Sequence, residues 1–233
     1  MNLQRLLYVA ATWLSCLTAC LTSGTTEAHA ASLPSDSALT ASSSFLRLPV
    51  DVLDILPEST RFDMLVYFEN DSIYRAPNAL EGTSYLKTVT PDFLEVQITE
   101  VSSLQLKLLP YKKGETLIMT LYTVGGEGQA DDTDIRFFTS DMRELPRERL
   151  FPQPELKVFF SIPKGSLTSM KEIEQTIPFP TVRYSASSDG NDITGKLTVE
   201  SYMNQDDYNV IRLFEKPSVC FIWNGNRYRP DKK

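Results

Sequence analysis

The chain has 233 residues, of which 42% are hydrophobic and 23% are charged, and its formal net charge is −7 at pH 7. These proportions are typical of a globular protein and exclude a disordered, collagen-like or multi-span membrane chain. An acidic chain also lacks the positive field that attracts nucleic acids, so we expect no nucleic-acid partner.

The first thirty residues are predicted to be a targeting segment. After a short basic start, Leu6–Leu21 is an apolar run that is too short and too interrupted for a transmembrane helix, which needs about 20 apolar residues. Two processing sites stay open: Ala28-His29-Ala30 favours cleavage before Ala31, whereas Leu17-Thr18-Ala19-Cys20 is a lipobox whose Cys20 would be acylated. Both predict export, to the periplasm or as an outer-membrane lipoprotein whose lipid is its only membrane contact.

A leader is predicted after the targeting segment. Residues 31–44 are rich in Ser and Ala and nearly uncharged, which is typical of a disordered tether. Order is expected to begin near Phe45. Pro49–Leu56 is then predicted to be a short helix that is closed by Pro57.

A second helix is predicted from Thr60 to Asn70. Thr60 and Asp63 have the spacing of a capping-box pair. One side of this helix would carry the apolar residues that are three and four positions apart, and we expect that side to be buried. This side of the helix consists of Phe62, Leu65, Val66 and Glu69, of which the first three are apolar and are expected to be buried.

The hydrophobic period then changes to two, which predicts β-strands. Apolar and polar residues alternate over 94–99 and 104–108, and 134–139 continues the pattern. Thr116–Val124 is apolar on both faces and is therefore expected in the centre of a sheet. Short connections favour antiparallel pairing, so residues 45–146 are predicted to be α-β-β-β-β.

Residues 152–230 follow a proline-rich joint and are predicted to have the order α-β-β-α-β-β. Ser169 and Glu172 form a capping box for the first of these helices, and Asn204 caps the second. Asn224-Gly225 is the dipeptide that best fits a two-residue hairpin turn. The predicted fold class is α+β, mainly an antiparallel β meander with a few short helices. Whether the halves share one domain stays open.

The chain lacks the parts of several catalytic sites. Its one histidine, His29, lies in the targeting segment together with Cys16 and Cys20, which leaves Cys220 alone in the folded body. Histidine triads, Cys-His nucleophiles and His/Cys zinc sites therefore cannot be assembled there. We expect no enzyme activity and no cofactor, and we expect Cys220 to be a small buried apolar residue.

Three motif matches are interpreted as coincidences. Gly190–Lys196 has the spacing of a phosphate-binding loop, but it lies between predicted strands and is followed by Leu197. Ser84–Lys87 matches the S-x-x-K nucleophile motif, but it alternates like a strand and has no K-T-G partner downstream. Trp223–Tyr228 is interpreted as a closing hairpin with one aromatic ring inward, in preference to a sugar-stacking site.

The loop 125–134 is the most distinctive candidate for a metal site. Its hard oxygen ligands for Ca²⁺ would be Glu127, Asp131, Asp132 and Asp134. The spacing matches no calcium loop, so a solvated hairpin is the preferred interpretation. A pair of carboxylates for glycoside hydrolysis would leave no linear motif and stays an alternative.

Six short segments spread over about 45–230 are distinctive in their order and spacing. They are Arg61-Phe62-Asp63-Met64-Leu65, Pro77-Asn78-Ala79-Leu80-Glu81-Gly82, Leu104-Gln105-Leu106-Lys107-Leu108-Leu109-Pro110, Asp134-Ile135-Arg136-Phe137-Phe138, Ile162-Pro163-Lys164-Gly165-Ser166 and Trp223-Asn224-Gly225-Asn226-Arg227-Tyr228. Together they resemble an uncharacterised family of exported envelope proteins from Bacteroidetes, a domain-of-unknown-function family. The resemblance implies a signal peptide and an envelope location, and it carries over no functional residues.

The sequence favours a non-enzymatic envelope protein that binds another protein or supports surface assembly, because reactive side chains are scarce. Sheet edges such as Asp134–Thr139 would accept a strand of an envelope partner. A module that binds a small molecule, a glycan or a cation is the alternative. A hydrolase that acts through Asp and Glu is the third choice.

Overall fold

Two antiparallel sheets make up most of the structure, a computed structural model that describes residues 38–126 and 128–231. One sheet has seven strands and the other has four, and a few short helices accompany them, so the predicted α+β class is confirmed. The predicted halves 45–146 and 152–230 fall within one compact unit that begins at Ala38. The predicted targeting segment, including Cys20, lies outside the described residues.

The first sheet is an up-and-down meander in which each strand pairs with the next along the chain. Its strands are β1 (Ala76–Pro77), β2 (Thr83–Val89), β3 (Phe93–Thr99), β4 (Ser102–Pro110), β5 (Thr116–Val124), β6 (Asp132–Thr139) and β7 (Glu144–Leu145). Three of them, β1, β2 and β7, come in addition to the four predicted strands. The short connections enforce the antiparallel pairing, as expected.

The second sheet contains the C-terminal strands in the order β11-β10-β9-β8. After a short helix α3 (Arg147–Leu150), the elements are α4 (Met170–Thr176), β8 (Val182–Ala186), β9 (Ile193–Leu197), α5 (Gln205–Ile211), β10 (Val219–Trp223) and β11 (Tyr228–Pro230). The predicted order α-β-β-α-β-β is confirmed. Single 3₁₀ turns lie at Lys112–Gly114, Leu156–Phe159 and Val199–Ser201.

The N-terminal helices differ from the prediction. Helix α1 (Ala41–Leu46) begins inside the segment 31–44 that was expected to be disordered, because Thr40 and Ser43 form a reciprocal capping box and Phe45 is buried. The predicted helix over Pro49–Leu56 is wrong. That segment forms successive turns in which Val52 N donates to Pro49 O over only three residues.

Helix α2 (Glu58–Glu69) begins two residues before the predicted cap, and its buried residues, Arg61, Met64 and Leu65, share only Leu65 with the side that was predicted to be buried. Pro57 precedes it without a side-chain cap, and Arg61 is buried. Phe62 and Val66, which were expected inside, are 55% and 40% exposed. The face is rotated because the Arg61 guanidinium donates to the carbonyl oxygen of Phe45 at 2.6 Å. No helix in the described residues is long and apolar enough to cross a membrane.

The first sheet separates two apolar cores. Ile118 of β5 packs in the core that also contains residues of α1 and α2, whereas Leu117 and Met119 belong to the core shared with the second sheet. Strand β5 is thus buried on both faces, as its composition predicts.

Side chains of the first sheet bond to the edge strand of the second. Tyr184 N donates to Thr133 Oγ1 at 3.0 Å, and Ala186 N donates to Gln105 Oε1 at 2.9 Å. These donors face away from β9, where a further strand would pair. The N–H groups along the outer edge of β8 are therefore already bonded to the first sheet and are not available to a further strand.

The edge Asp134–Thr139 was expected to accept a partner strand, and the structure leaves little room there. It lies within β6, which pairs with β5 along one side over its full length. On the other side β7 pairs with Phe137 and Phe138, and Thr139 N donates to Arg143 O. The C-terminal half of this edge is therefore already hydrogen-bonded to β7 and to Arg143.

The last hairpin forms as predicted, but its turn and its aromatic residues differ from the expectation. Trp223 pairs with Tyr228, so four residues, 224–227, connect the strands instead of the two-residue turn expected at Asn224-Gly225, and both aromatic side chains are buried where one was expected inward. Cys220, expected to be buried, is exposed because Val219, Phe221 and Trp223 alternate with it and occupy the inner face.

The two enzyme-like motifs occupy β structure. Gly190–Lys196 runs through the turn between β8 and β9 into β9 itself. Ser84–Lys87 lies within β2, so the serine and the lysine are not one helical turn apart. Neither segment has the strand-to-helix or helical geometry that its chemistry requires.

Candidate functional site

A groove of about 530 Å³ lies where the end of β9, helix α5 and the loop before β6 meet. Its volume is in the range of ligand pockets in proteins, about 300–1,000 Å³. We call it the polar groove. The side chains that matter for its chemistry are Lys196, Glu200, Tyr208, Arg212, Glu215 and Lys216.

Helix α5 supplies two of these side chains. The side chain of Asn204 accepts a hydrogen bond from Asp206 N at 2.8 Å and so sets where the helix begins. Tyr208 and Arg212 follow at positions four residues apart, which places them on the same helix face. Both line the polar groove.

Backbone hydrogen bonds fix Glu215 on both sides. Ser161 N donates to Phe214 O at 2.7 Å, and Lys216 N donates to Phe159 O at 2.8 Å. Glu215 itself forms an antiparallel bridge with Phe160. The backbone that carries this carboxyl group is thus held in place by hydrogen bonds, even though Glu215 lies outside the regular strands.

The Glu215 carboxyl group is partly enclosed and incompletely bonded. Its Oε2 atom is buried and has no hydrogen-bond partner among the described residues. Burial raises the pKa of Glu215 above its ordinary value, and Glu200 adds to the increase while Tyr208 and Lys196 oppose it. The neutral form of this carboxyl is therefore favoured more than in water.

The Tyr208 hydroxyl lies near both acidic residues of the groove, Glu200 and Glu215. Burial, followed by the negative charges of Glu215 and Glu200, raises the pKa of Tyr208 to about 12. Tyr208 thus stays protonated at physiological pH and can donate a hydrogen bond. Of the two carboxyls only Glu215 is enclosed, since Glu200 is exposed.

Three cationic side chains around the groove have no ionic partner. Within the described part of the chain, Lys196, Arg212 and Lys216 make no salt bridge. Asp131 also lines the groove, but its carboxylate pairs with Arg183 at 2.8 Å. Positive charge is therefore available in the groove of a protein whose net charge is −7.

The described members of the candidate calcium site, Asp131, Asp132 and Asp134, are not arranged to hold a metal ion. The Asp131 carboxylate is taken by Arg183, and Asp132 Oδ1 accepts a hydrogen bond from Val182 N at 3.3 Å. Asp134 lines a separate cavity beside Arg136. Glu127 lies outside the described residues. In the segments that the structure describes, no group of three or more acidic, His or Cys side chains is arranged to hold a metal ion.

The groove residues were missed by the sequence analysis because they come from separate elements. Lys196 ends a strand, Glu200 lies in a 3₁₀ turn, and Glu215 follows α5. The i, i+4 spacing of Tyr208 and Arg212 is the one local signal, and it is common to many helices. Their convergence is a tertiary property.

We expect Glu215→Gln to raise the melting temperature at neutral pH by about 1–3 °C. A carboxyl whose pKa is raised by folding stabilises the protein at low pH and loses that contribution as the pH rises through the folded-state pKa. The amide does not ionise, so the gain should vanish below a pH of about 4. Thermal unfolding across this range measures it, with Glu174→Gln at an exposed site as the control. A lower melting temperature for Glu215→Gln at neutral pH would contradict the assignment.

Comparison with known proteins identifies a matching protein family and a solved structure with a similar fold. The profile of a protein family described as "Protein of unknown function (DUF3256)" matches residues 34–228. A solved structure described as a domain of an uncharacterized protein from Porphyromonas gingivalis W83 is similar, with a TM-score of 0.68 and 19% sequence identity. The similarity covers 82% of this chain and 98% of that one. No curated protein sequence matches the chain. At this identity the structural likeness shows the fold alone.

Proposed function

The chain belongs to the DUF3256 family of proteins of unknown function, and from this premise we propose that it is an exported, non-enzymatic binding protein whose ligand occupies the polar groove. The proposal commits to the second of the functions that the sequence suggests, binding of a small molecule or glycan. The geometry of the groove favours this binding function over protein–protein binding and over hydrolysis.

The observation that carries the proposal is the unpartnered Glu215 oxygen beside three unpaired cations. Buried polar atoms in proteins are nearly always hydrogen-bonded, and leaving one without a partner costs about 1–3 kcal/mol. An unsatisfied buried atom calls for an explanation, and a carboxyl with a raised pKa in a cleft is a candidate for a functional site.

Binding is favoured over hydrolysis because the groove holds one enclosed carboxyl, Glu215, instead of a matched pair. Glycosidases place two carboxyl groups on either side of the bond that they cleave. Glu200 is the second carboxyl near Tyr208, but it is exposed to solvent. An Asp/Glu hydrolase stays the third choice, and turnover of any bound saccharide would establish it.

Export is the part of the proposal that rests on the N-terminal sequence. The apolar run Leu6–Leu21 contains a lipobox that ends at Cys20, and it is followed by an alternative processing signal that ends at Ala30. The protein would reside in the periplasm or be attached to the outer membrane by lipid. The intact mass of the mature protein distinguishes acylated Cys20 from a free Ala31.

Protein–protein binding is the second candidate function, and one observation favours it. Phe62 and Val66 lie four residues apart on α2 and are both exposed, whereas large apolar side chains at such positions usually face a core or a partner. The distinguishing result would be an envelope protein whose binding depends on Phe62 and Val66 but not on Glu215.

The test of groove binding is a thermal-shift screen with panels of saccharides, amino acids and nucleotides. A ligand that binds only the folded protein raises the melting temperature, by an amount that grows with its concentration. We expect at least one class to do so, and Lys196→Ala combined with Glu215→Ala to abolish the shift. Lys164→Ala removes an exposed charge elsewhere and should leave the shift intact. A shift that survives in the double variant would overturn the proposal, as would no shift with any class.

A further inference from the structure

We propose that the polar groove selects an anionic polyol: a sugar or similarly hydroxyl-rich molecule that carries one sulfate, phosphate or carboxylate group. This inference rests on the proposed binding function and names the class of ligand. It is drawn from the balance of charge in the groove and from the bonding state of Glu215 and Tyr208.

The charge balance of the groove favours an anion. Lys196, Arg212 and Lys216 face it without ionic partners among the described residues, whereas Asp131 is neutralised by Arg183. The remaining acids, Glu200 and Glu215, number two against three cations. Arginine and lysine are the usual ligands of phosphate, sulfate and carboxylate groups, and Arg212 can bind such a group through two N–H donors.

The acidic side of the groove favours hydroxyl groups. Glu215 presents a buried oxygen that lacks a partner, and Tyr208 stands next to it. A sugar hydroxyl can donate a hydrogen bond to a Glu215 oxygen and accept one from the Tyr208 hydroxyl. An ammonium group can only donate, so it would satisfy fewer of these atoms.

Cationic and zwitterionic ligands fit the groove less well. A divalent cation would meet three positive side chains and would have to displace Arg183 from Asp131 to gain a further carboxylate. A zwitterion such as glycine carries no net charge, so it would leave the excess positive charge of the groove uncompensated.

The experiment compares glucose 6-sulfate with glucose, inorganic sulfate and glycine by calorimetry or heteronuclear NMR. The sulfate ester stays ionised across the whole pH range and so isolates the titration of the protein. We expect glucose 6-sulfate to bind at least about tenfold more tightly than each of the other three probes, a difference of roughly 1.4 kcal/mol. Lys196→Ala and Arg212→Ala should each weaken it, while Lys164→Ala should not.

The outcomes separate this inference from the proposed function. If glucose binds as tightly as its sulfate, or if glycine binds better, the groove binds ligands but the anionic polyol assignment is wrong. If sulfate alone binds as tightly as the ester, the hydroxyl contacts are wrong. If no probe binds here and no class binds in the broader screen, both proposals fail.

A pH series tests the role of Glu215. Ionised Glu215 repels the sulfate, so affinity should fall as the pH rises through the raised pKa of this carboxyl, and Glu215→Gln should remove the dependence. Lys196, Glu200 and Tyr208 act on Glu215 directly, and the other charged groups that line the groove are Arg212, Lys216 and Asp131, the last paired with Arg183. Glu200→Gln should keep the dependence. A dependence that persists in Glu215→Gln would assign the titration to another group and overturn this role.

Discussion

Replacing Lys107 by alanine lowers the free energy of unfolding by about 2–4 kcal/mol. Lys107 is 1% exposed on β4, and its Nζ donates to Asp92 Oδ2 at 2.9 Å and to Ser188 O at 3.1 Å. Alanine removes both bonds, leaves a cavity and deprives two acceptors of their donor. Ser188 follows β8, so the loss also loosens the attachment of the second sheet to the first.

The control for Lys107 is a second lysine–carboxylate pair in the same sheet. Lys87 pairs with Glu95 at 3.3 Å but is 37% exposed, so Lys87→Ala should cost less than about 1 kcal/mol. Lys107→Met keeps most of the aliphatic stem and should cost less than the alanine variant. Urea unfolding of the three variants measures the differences. Equal costs for Lys87→Ala and Lys107→Ala would show that burial does not set the strength of this pair.

The Lys107 pair also contributes to the acid stability of the protein. Desolvation alone would raise the pKa of Asp92, but the hydrogen bond and charge of Lys107 outweigh it and lower the pKa below 3.8. The contribution is therefore complete above the unfolded-state pKa and is lost as the pH falls through the lower folded-state value. The loss in free energy of unfolding caused by Lys107→Ala should therefore become smaller as the pH falls through this range.

Arg61→Ala is expected to lower the free energy of unfolding by about 3–4 kcal/mol. Arg61 is 4% exposed, and its guanidinium donates to Phe45 O at 2.6 Å and to Leu48 O at 3.2 Å. These carbonyls lie at the C-terminal end of α1, where a positive charge is favourable. Without the arginine, both carbonyls stay buried without this donor and the contact between α1 and α2 weakens.

A matched arginine serves as the control for Arg61. Arg75 is exposed, and its guanidinium lies over the Tyr85 ring at 4.7 Å, so Arg75→Ala should cost no more than about 1 kcal/mol. Burial lowers the pKa of Arg61, although Glu58 opposes this effect. Chemical denaturation gives the free energies, and hydrogen exchange in α1 should accelerate in Arg61→Ala alone. Unchanged protection of α1 would refute the capping role.

Elements whose stability is local could be predicted from the sequence. The alternation in β3 and β4, the two-sided apolar run of β5 and the capping box of Ser169 and Glu172 all depend on residues a few positions apart. The C-terminal order α-β-β-α-β-β followed from such signals and is confirmed. A period of two specifies a half-buried strand wherever the strand lies in the fold.

Burial of long polar side chains could not be predicted in the same way. The apolar side predicted for α2 did not include Arg61, and the alternation over 104–108 predicted a half-buried strand without a buried Lys107, yet both side chains are buried. Arg61 finds its acceptor in Phe45, 16 residues away, and Lys107 finds one in Ser188, 81 residues away. A buried charge is tolerated only where such partners exist, and no local pattern records them.

The sequence by itself determined the fold class, the order of the C-terminal elements and the absence of histidine after residue 29. Only the tertiary structure brought Lys196, Arg212 and Glu215 together into one groove, and only it shows that the described acidic residues of 125–134 are not arranged as a metal site. The reason is physical. Hydrophobic periodicity and helix capping depend on residues a few positions apart, whereas a binding site depends on the distance in space between segments that are far apart in the sequence.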